Sequence, residues 1–234
     1  MKNTVKALLF IGAALILSPS YTIAPVSPEF EGVITYGINI DGSENPQMAQ
    51  MMQNYTIKTY MKGGKSRTET NMGMMNSITI TDIQKPKEPI VLIDMMGSKY
   101  QLKIDQNDLK QAESNKPVIK YLSGTKSIAG YDCKEAQIMM TDAKSGNKTT
   151  SDVYYTDQLP YNNDAYENHF QGLKGFPLSY SMSQNGMNFS FTAKTVQKQS
   201  VPDSLFNVPA GYKLATKEEM QKELMQKMGG GGGN

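Results

Sequence analysis

Among its 234 residues the chain has no Trp, one Cys, one His and one Arg, and these shortages exclude several chemistries. A zinc site of four cysteines, or of two cysteines and two histidines, lacks the ligands. A disulfide within the chain lacks a second thiol, and a histidine-based triad would rest on His169 alone. Arg67 is the only side chain able to grip a phosphate with two parallel bonds, so nucleic acid is not an expected partner. The longest apolar run, from Ala7 to Leu17, falls short of the roughly 20 residues that cross a bilayer as a helix, so no transmembrane segment is expected. What remains is 38% hydrophobic and 20% charged, a balance that suits one ordinary globular domain.

The first residues read as an export signal. Lys2 and Lys6 precede the apolar run, and Ser18-Pro19-Ser20 breaks it. A signal peptide over 1–20 is expected, with cleavage after Ser20 or, as the alternative, after Ala24. The destination is then the periplasm or the exterior. The lone Cys133 is far from either cleavage point, which argues against an acylated N-terminal cysteine and makes it a small buried apolar residue. Removing Lys2 and Lys6 from the 24 basic residues leaves 22 against 22 acidic ones, so the formal charge of +2 belongs to the signal.

Beyond the signal, alternation with a period of two dominates. Phe30, Gly32, Ile34, Tyr36, Ile38 and Ile40 share one parity, as in a strand with one buried face. About ten more short strands follow, separated by turn residues such as Gly63-Gly64, Gly97-Ser98, Ser145-Gly146-Asn147 and Asn185-Gly186. The expected fold class is α+β, mainly antiparallel β, with a few short helices: a sheet or partial barrel in a single domain over 30–215. Ser43 to Met52 has helical spacing. Thr216-Lys217-Glu218-Glu219 is a capping box that opens a helix over 216–228, and glycines make 229–234 a disordered tail. Asp105 to Lys116 and Gln158 to Gly175 are the longest stretches without strand character.

The 17 methionines are the unusual feature, and nine of them lie between Met48 and Met96. Met48, Met51, Met52, Met72, Met74 and Met75 are the candidate site residues. Thioether sulfur is a soft donor that selects Cu(I); methionine is also a flexible filler that lines pockets. Adjacent methionines on a strand point to opposite faces, which favours lining over a shared metal. The 13 tyrosines read as strand residues. No nucleophile motif accompanies His169, and the carboxylates are scattered singly, so neither an enzyme nor a cofactor is expected. Arg67 and Glu69, two apart on one strand face, suit a structural ion pair.

The order of several short motifs carries a resemblance. Phe30-Glu31-Gly32-Val33-Ile34-Thr35-Tyr36, Gly64-Lys65-Ser66-Arg67-Thr68-Glu69, the run from Ile128 to Ala136, Leu173-Lys174-Gly175-Phe176-Pro177-Leu178 and the run from Leu205 to Tyr212 together resemble the exported bacterial family named domain of unknown function 4412. The segments around Gly130 to Ala136 and Gly172 to Gly175 are also similar to an envelope family named for a Gly-Leu-Pro-Gly-Leu-Ile motif, from which Lys174 and Phe176 depart. The resemblance implies a LolA/LolB-like fold, that of the outer-membrane lipoprotein carrier and receptor. Such a fold is a strongly curved antiparallel sheet forming an open half-barrel, with helices on its concave side. The shared motifs are structural and carry no lipid contact over; the leading reading of the chain is a non-enzymatic envelope protein that binds a lipid or another apolar ligand in such a cavity, with the methionine-rich segments Pro46 to Gln53 and Met72 to Met75 as a lid. The alternatives are Cu(I) binding through the clustered methionines, or a structural protein that binds an envelope partner.

Overall fold

A computed structural model describes residues 30–41, 55–105, 107, 110, 116–141, 146, 148–159, 169–184 and 187–229. The expected signal peptide, the Ser43 to Met52 helix with Met48, Met51 and Met52, the Asn185-Gly186 turn and the glycine tail lie outside them. So do most of the stretch 105–116 and residues 160–168 of the stretch 158–175.

Among the described residues, twelve strands make one open sheet. They are β1 (Gly32–Asp41), β2 (Thr56–Lys62), β3 (Lys65–Asn71), β4 (Met75–Asp82), β5 (Ile90–Met95), β6 (Ser98–Leu102), β7 (Val118–Ile128), β8 (Tyr131–Thr141), β9 (Lys148–Thr156), β10 (Phe176–Gln184), β11 (Met187–Lys198) and β12 (Lys213–Ala215). Across the sheet the order is β12-β6-β5-β4-β3-β2-β1-β11-β10-β9-β8-β7. Two antiparallel meanders, β1 to β6 and β7 to β11, therefore join along the β1–β11 seam, and every pair is antiparallel except β12 on β6. β12 is not visible as a strand in the sequence, because three residues added in parallel at an edge leave no alternating pattern.

The hairpin turns carry the required backbone. Gly63-Gly64, Met96-Gly97 and Ala129-Gly130 all have positive φ at both central positions, the pairing that matches the twist of the flanking strands. The β5–β6 turn thus sits one residue earlier than Gly97-Ser98, and Ser98 is a buried strand residue. β7 continues to Ile128, because a register shift between Tyr121 and Thr125 bends the strand without ending it. Pro177 lies inside β10 at a second register shift, and its carbonyl accepts a bond from the Tyr36 hydroxyl at 2.7 Å. Two glycines of the resemblance motifs have a packing reason: a Cβ on Gly32 would stand 2.2 Å from the Gln197 carbonyl oxygen, and one on Gly175 2.4 Å from that of Thr156.

Register assigns the faces. Tyr36, Ile57, Thr70, Ser77, Ile93 and Tyr100 are successive cross-strand partners and so share one face, here called the helix face. On it, Ile34, Tyr36 and Ile38 of β1, Ile57 and Met61 of β2 and Phe191 and Ala193 of β11 form the main core. At the far edge the same face receives α1 (Lys217–Gly229), whose Leu224 and Met220 pack on Tyr100, Met95 and Ala215. The capping box holds that helix at its start: the Glu219 carboxylate accepts from the Thr216 amide at 2.8 Å, and the Thr216 hydroxyl accepts from the Glu219 amide at 3.1 Å.

On the opposite face, residues 199–212 cross from β11 back to β12 as a strap. Its 3-10 turn, Asp203–Phe206, and the preceding Val201 press Leu205 and Phe206 onto Val33, Ile78, Ile80 and Ile90. The strap is tied down at its start. Glu31 accepts the Val201 amide at 2.7 Å, while Lys62 donates to the Val201 carbonyl at 3.0 Å and pairs with Asp203 at 3.0 Å.

Candidate functional site

The strap leaves a cleft at the β4–β6 end of its face. It measures about 570 Å³, within the range of small-ligand sites. Its floor is apolar, made by Ile80, Ile90, Phe206 and Leu214. Its rim is basic: Lys65 at the start of β3, Lys85 and Lys87 in the β4–β5 loop, and Lys103 just past β6, against Asp82 and Glu88. Glu88 is engaged by Lys85 at 3.3 Å, and the Asp82 carboxylate accepts the Gln84 amide at 2.9 Å. Lys65 and Lys103 are exposed and form no ion pair among the described residues. Leu214 remains 64% exposed, unusual for a leucine on a strand, and contributes apolar surface at the mouth.

Arg67 anchors the strap beside this cleft. It is 5% exposed, its Nε donates to Glu69 Oε1 at 2.7 Å and one terminal nitrogen donates to the Leu205 carbonyl at 2.8 Å. The ion pair expected from the spacing of Arg67 and Glu69 is present, and its further role is to hold the 3-10 turn over the sheet. Glu31 is held below the ordinary carboxylate range, first by the Val201 amide and then by Lys62, while the Lys62 ammonium is raised mainly by its bond to Asp203.

None of the described candidate methionines lines the cleft. Met75 opens β4 at the end remote from Asp82, with its cross-strand partner Met95 on the helix face. Met72 closes the β3–β4 turn through a backbone bond to Met75 at 2.9 Å, and Met74 projects outward, 82% exposed. Met95 packs beneath α1 and its neighbour Met96 sits in the turn, so this adjacent pair separates. Elsewhere Met61 is core. Cys133 is buried, and burial, followed by the charge of Asp132, pushes its thiol up to about 11, an inert group. Among the described residues no cluster of three His, Cys, Asp or Glu could hold a metal, and no helix is long and apolar enough to cross a membrane.

Sequence reasoning missed the cleft because its parts come from β3, β4, the β4–β5 loop, β6, the strap and β12. The one local signal is the run Lys85-Pro86-Lys87-Glu88-Pro89, two lysines flanking a proline in a strand connection.

Comparison with known proteins adds a family. The model described as Domain of unknown function (DUF4412) matches residues 30–212. Among solved structures, the crystal structure of LprF from Mycobacterium bovis is similar at 8% identity with a TM-score of 0.29, over 78% of this chain and 90% of that one. No curated protein matches. The chain belongs to the DUF4412 family.

Proposed function

We propose that this DUF4412 member is a non-enzymatic exported envelope protein, periplasmic or secreted, that binds an apolar ligand with an anionic head, such as a lipid or an acyl chain. The observation that carries this reading is the strap cleft, in which an apolar floor lies under a lysine rim. A hydrocarbon chain on Ile80, Ile90, Phe206 and Leu214 contributes about 0.8 kcal/mol for each methylene buried. A carboxylate or phosphate at the mouth meets Lys65 and Lys103 without displacing an existing partner among the described residues. The two features call for one amphiphile.

The same reading curves the sheet into an open half-barrel. The chain leaves β6, beside the β12 edge, and enters β7 at the opposite edge, ten places away in the strand order. Laid flat, that crossing spans roughly 48 Å at the usual strand spacing. Residues 103–117 reach it only when almost fully extended, at roughly 3.4 Å each, and Asn107 and Lys110 are helical. A curved sheet shortens the path. β7 and β11, four places apart in the order, also approach within 8 Å at their Cα atoms.

The test is mass spectrometry of the natively purified protein before and after denaturation, with an organic extract of the same preparation. A bound amphiphile released on denaturation is the expected result. A bare protein that also fails to take up added fatty acid contradicts the reading.

A further inference from the structure

The one histidine of the chain lies on a methionine. His169 follows the 160–168 segment and opens the turn before Leu173; Met140 lies near the end of β8. Their contact brings Nδ1 and Sδ to 2.9 Å across 29 residues of sequence. The imidazole is exposed and the thioether half-buried, so both donor atoms meet at the surface. Behind them Phe170 sits edge-on to Tyr180 at 4.9 Å between ring centroids, and Ile119, Ile138 and Leu173 complete an apolar wall. The neighbouring Met139 points to the other face of β8 and takes no part.

We propose that His169 Nδ1 and Met140 Sδ form a binding site for a soft monovalent cation, Cu(I) or its counterpart Ag(I). An imidazole and a thioether are neutral, polarisable donors. They suit a d10 monovalent ion that accepts two or three ligands, and they offer too little charge and too few donors for Zn²⁺, Mg²⁺ or Ca²⁺. The apolar cluster of Ile138, Leu173 and Phe170 packs against Met140 behind the pair. This site is independent of the methionines at Met72, Met74 and Met75, which the fold does not bring to a histidine, and independent of the strap cleft on the other meander. Binding adds the ion to a lone pair of Sδ and, in the tautomer that carries its proton on Nε2, to that of Nδ1, the two donors moving apart to admit it, with no change in its oxidation state.

With a single histidine, the imidazole Hε1 signal in the NMR spectrum reports this site alone. Titration of the full chain with Ag(I) nitrate in a chloride-free buffer is expected to move that signal and one methionine methyl signal together, saturating near one equivalent. Met140→Leu, which keeps volume and removes sulfur, should weaken the response at least about tenfold, ~1.4 kcal/mol. His169→Gln, on an exposed side chain, should abolish the tight phase while leaving the thermal transition in place. The combined Met72→Leu, Met74→Leu and Met75→Leu variant should behave as the parent. An Hε1 signal unmoved at saturation, or a response unchanged in Met140→Leu or lost in the combined variant, overturns the proposal.

Discussion

The two faces of the β2–β4 region differ in a way that no single strand reveals. On the strap face, Val33, Ile78 and Ile80 are covered by Phe206, and a buried arginine is bonded into the cover. On the helix face, three rows of partners run Ile57-Thr70-Ser77, Thr59-Thr68-Thr79 and Met61-Ser66-Thr81, so apolar β2 gives way to hydroxyls on β3 and β4. Those hydroxyls bond one another, Thr59 to Thr68 at 3.1 Å and Ser66 to Thr81 at 2.7 Å. The buried side of the sheet thus changes between β2 and β4. Alternation in each strand states that one face is apolar; only register states which one, and only the strap explains why it faces that way.

Removing the cover should do the most damage. Phe206→Ala is expected to cost about 3 kcal/mol in denaturant unfolding, as for other buried aromatics cut to Ala, and Thr68→Ala on the hydroxyl face about 1 kcal/mol or less. Equal costs would erase the contrast between the faces. Next, Arg67→Met keeps the stem and removes the charge, leaving Glu69 and the Leu205 carbonyl without their donor. A loss of about 2 kcal/mol is expected, together with faster proteolysis within 199–212. An unaltered strap would mean that Arg67 is not its anchor.

A smaller gain is expected at the β5–β6 turn. Met96 has φ 52 and is 51% exposed, so Met96→Gly relieves a left-handed backbone without opening a cavity and should add up to about 1 kcal/mol of stability.

The anchors also set a pH dependence. Glu31 is lowered by the Val201 amide and Lys62, and Glu223 by Lys213 and Tyr100, so each binds its proton less readily folded than unfolded. Their contribution is full above the ordinary glutamate value of about 4.3 and is lost as pH falls through the lower folded value. The drop in melting temperature between pH 6 and pH 3 should therefore shrink in Glu31→Gln. An unchanged drop would remove Glu31 from the account.

Much of the sheet is legible in the amino-acid sequence. The parity from Phe30 to Ile40 marks β1, paired turn residues mark the hairpins, and Thr216 to Glu219 marks the start of α1. The family resemblance, drawn from motifs such as Phe30-Glu31-Gly32 and Leu173-Lys174-Gly175, is shown by the match over 30–212. Within those motifs, Gly32 and Gly175 are backbone approaches, a reason that motif order alone does not supply. The strap is not legible: Pro202 and Pro209 interrupt it, and it has neither period. The cleft is less so, because Lys65, Lys103, Phe206 and Leu214 converge only through the crossover to β12. The methionine count points to Met72, Met74 and Met75, whereas the contact of chemical interest is between Met140 and the sole histidine.

If the strap cleft takes an anionic amphiphile, as proposed, the absence of tryptophan from the chain makes a direct test possible. Leu214→Trp places the only indole of the chain at the mouth of the cleft, beside Lys103. Titration with palmitate should give a saturable one-to-one change in its emission, weakened about tenfold, ~1.4 kcal/mol, when Lys65→Glu and Lys103→Glu are added. A flat titration, or one indifferent to those two charges, would contradict it.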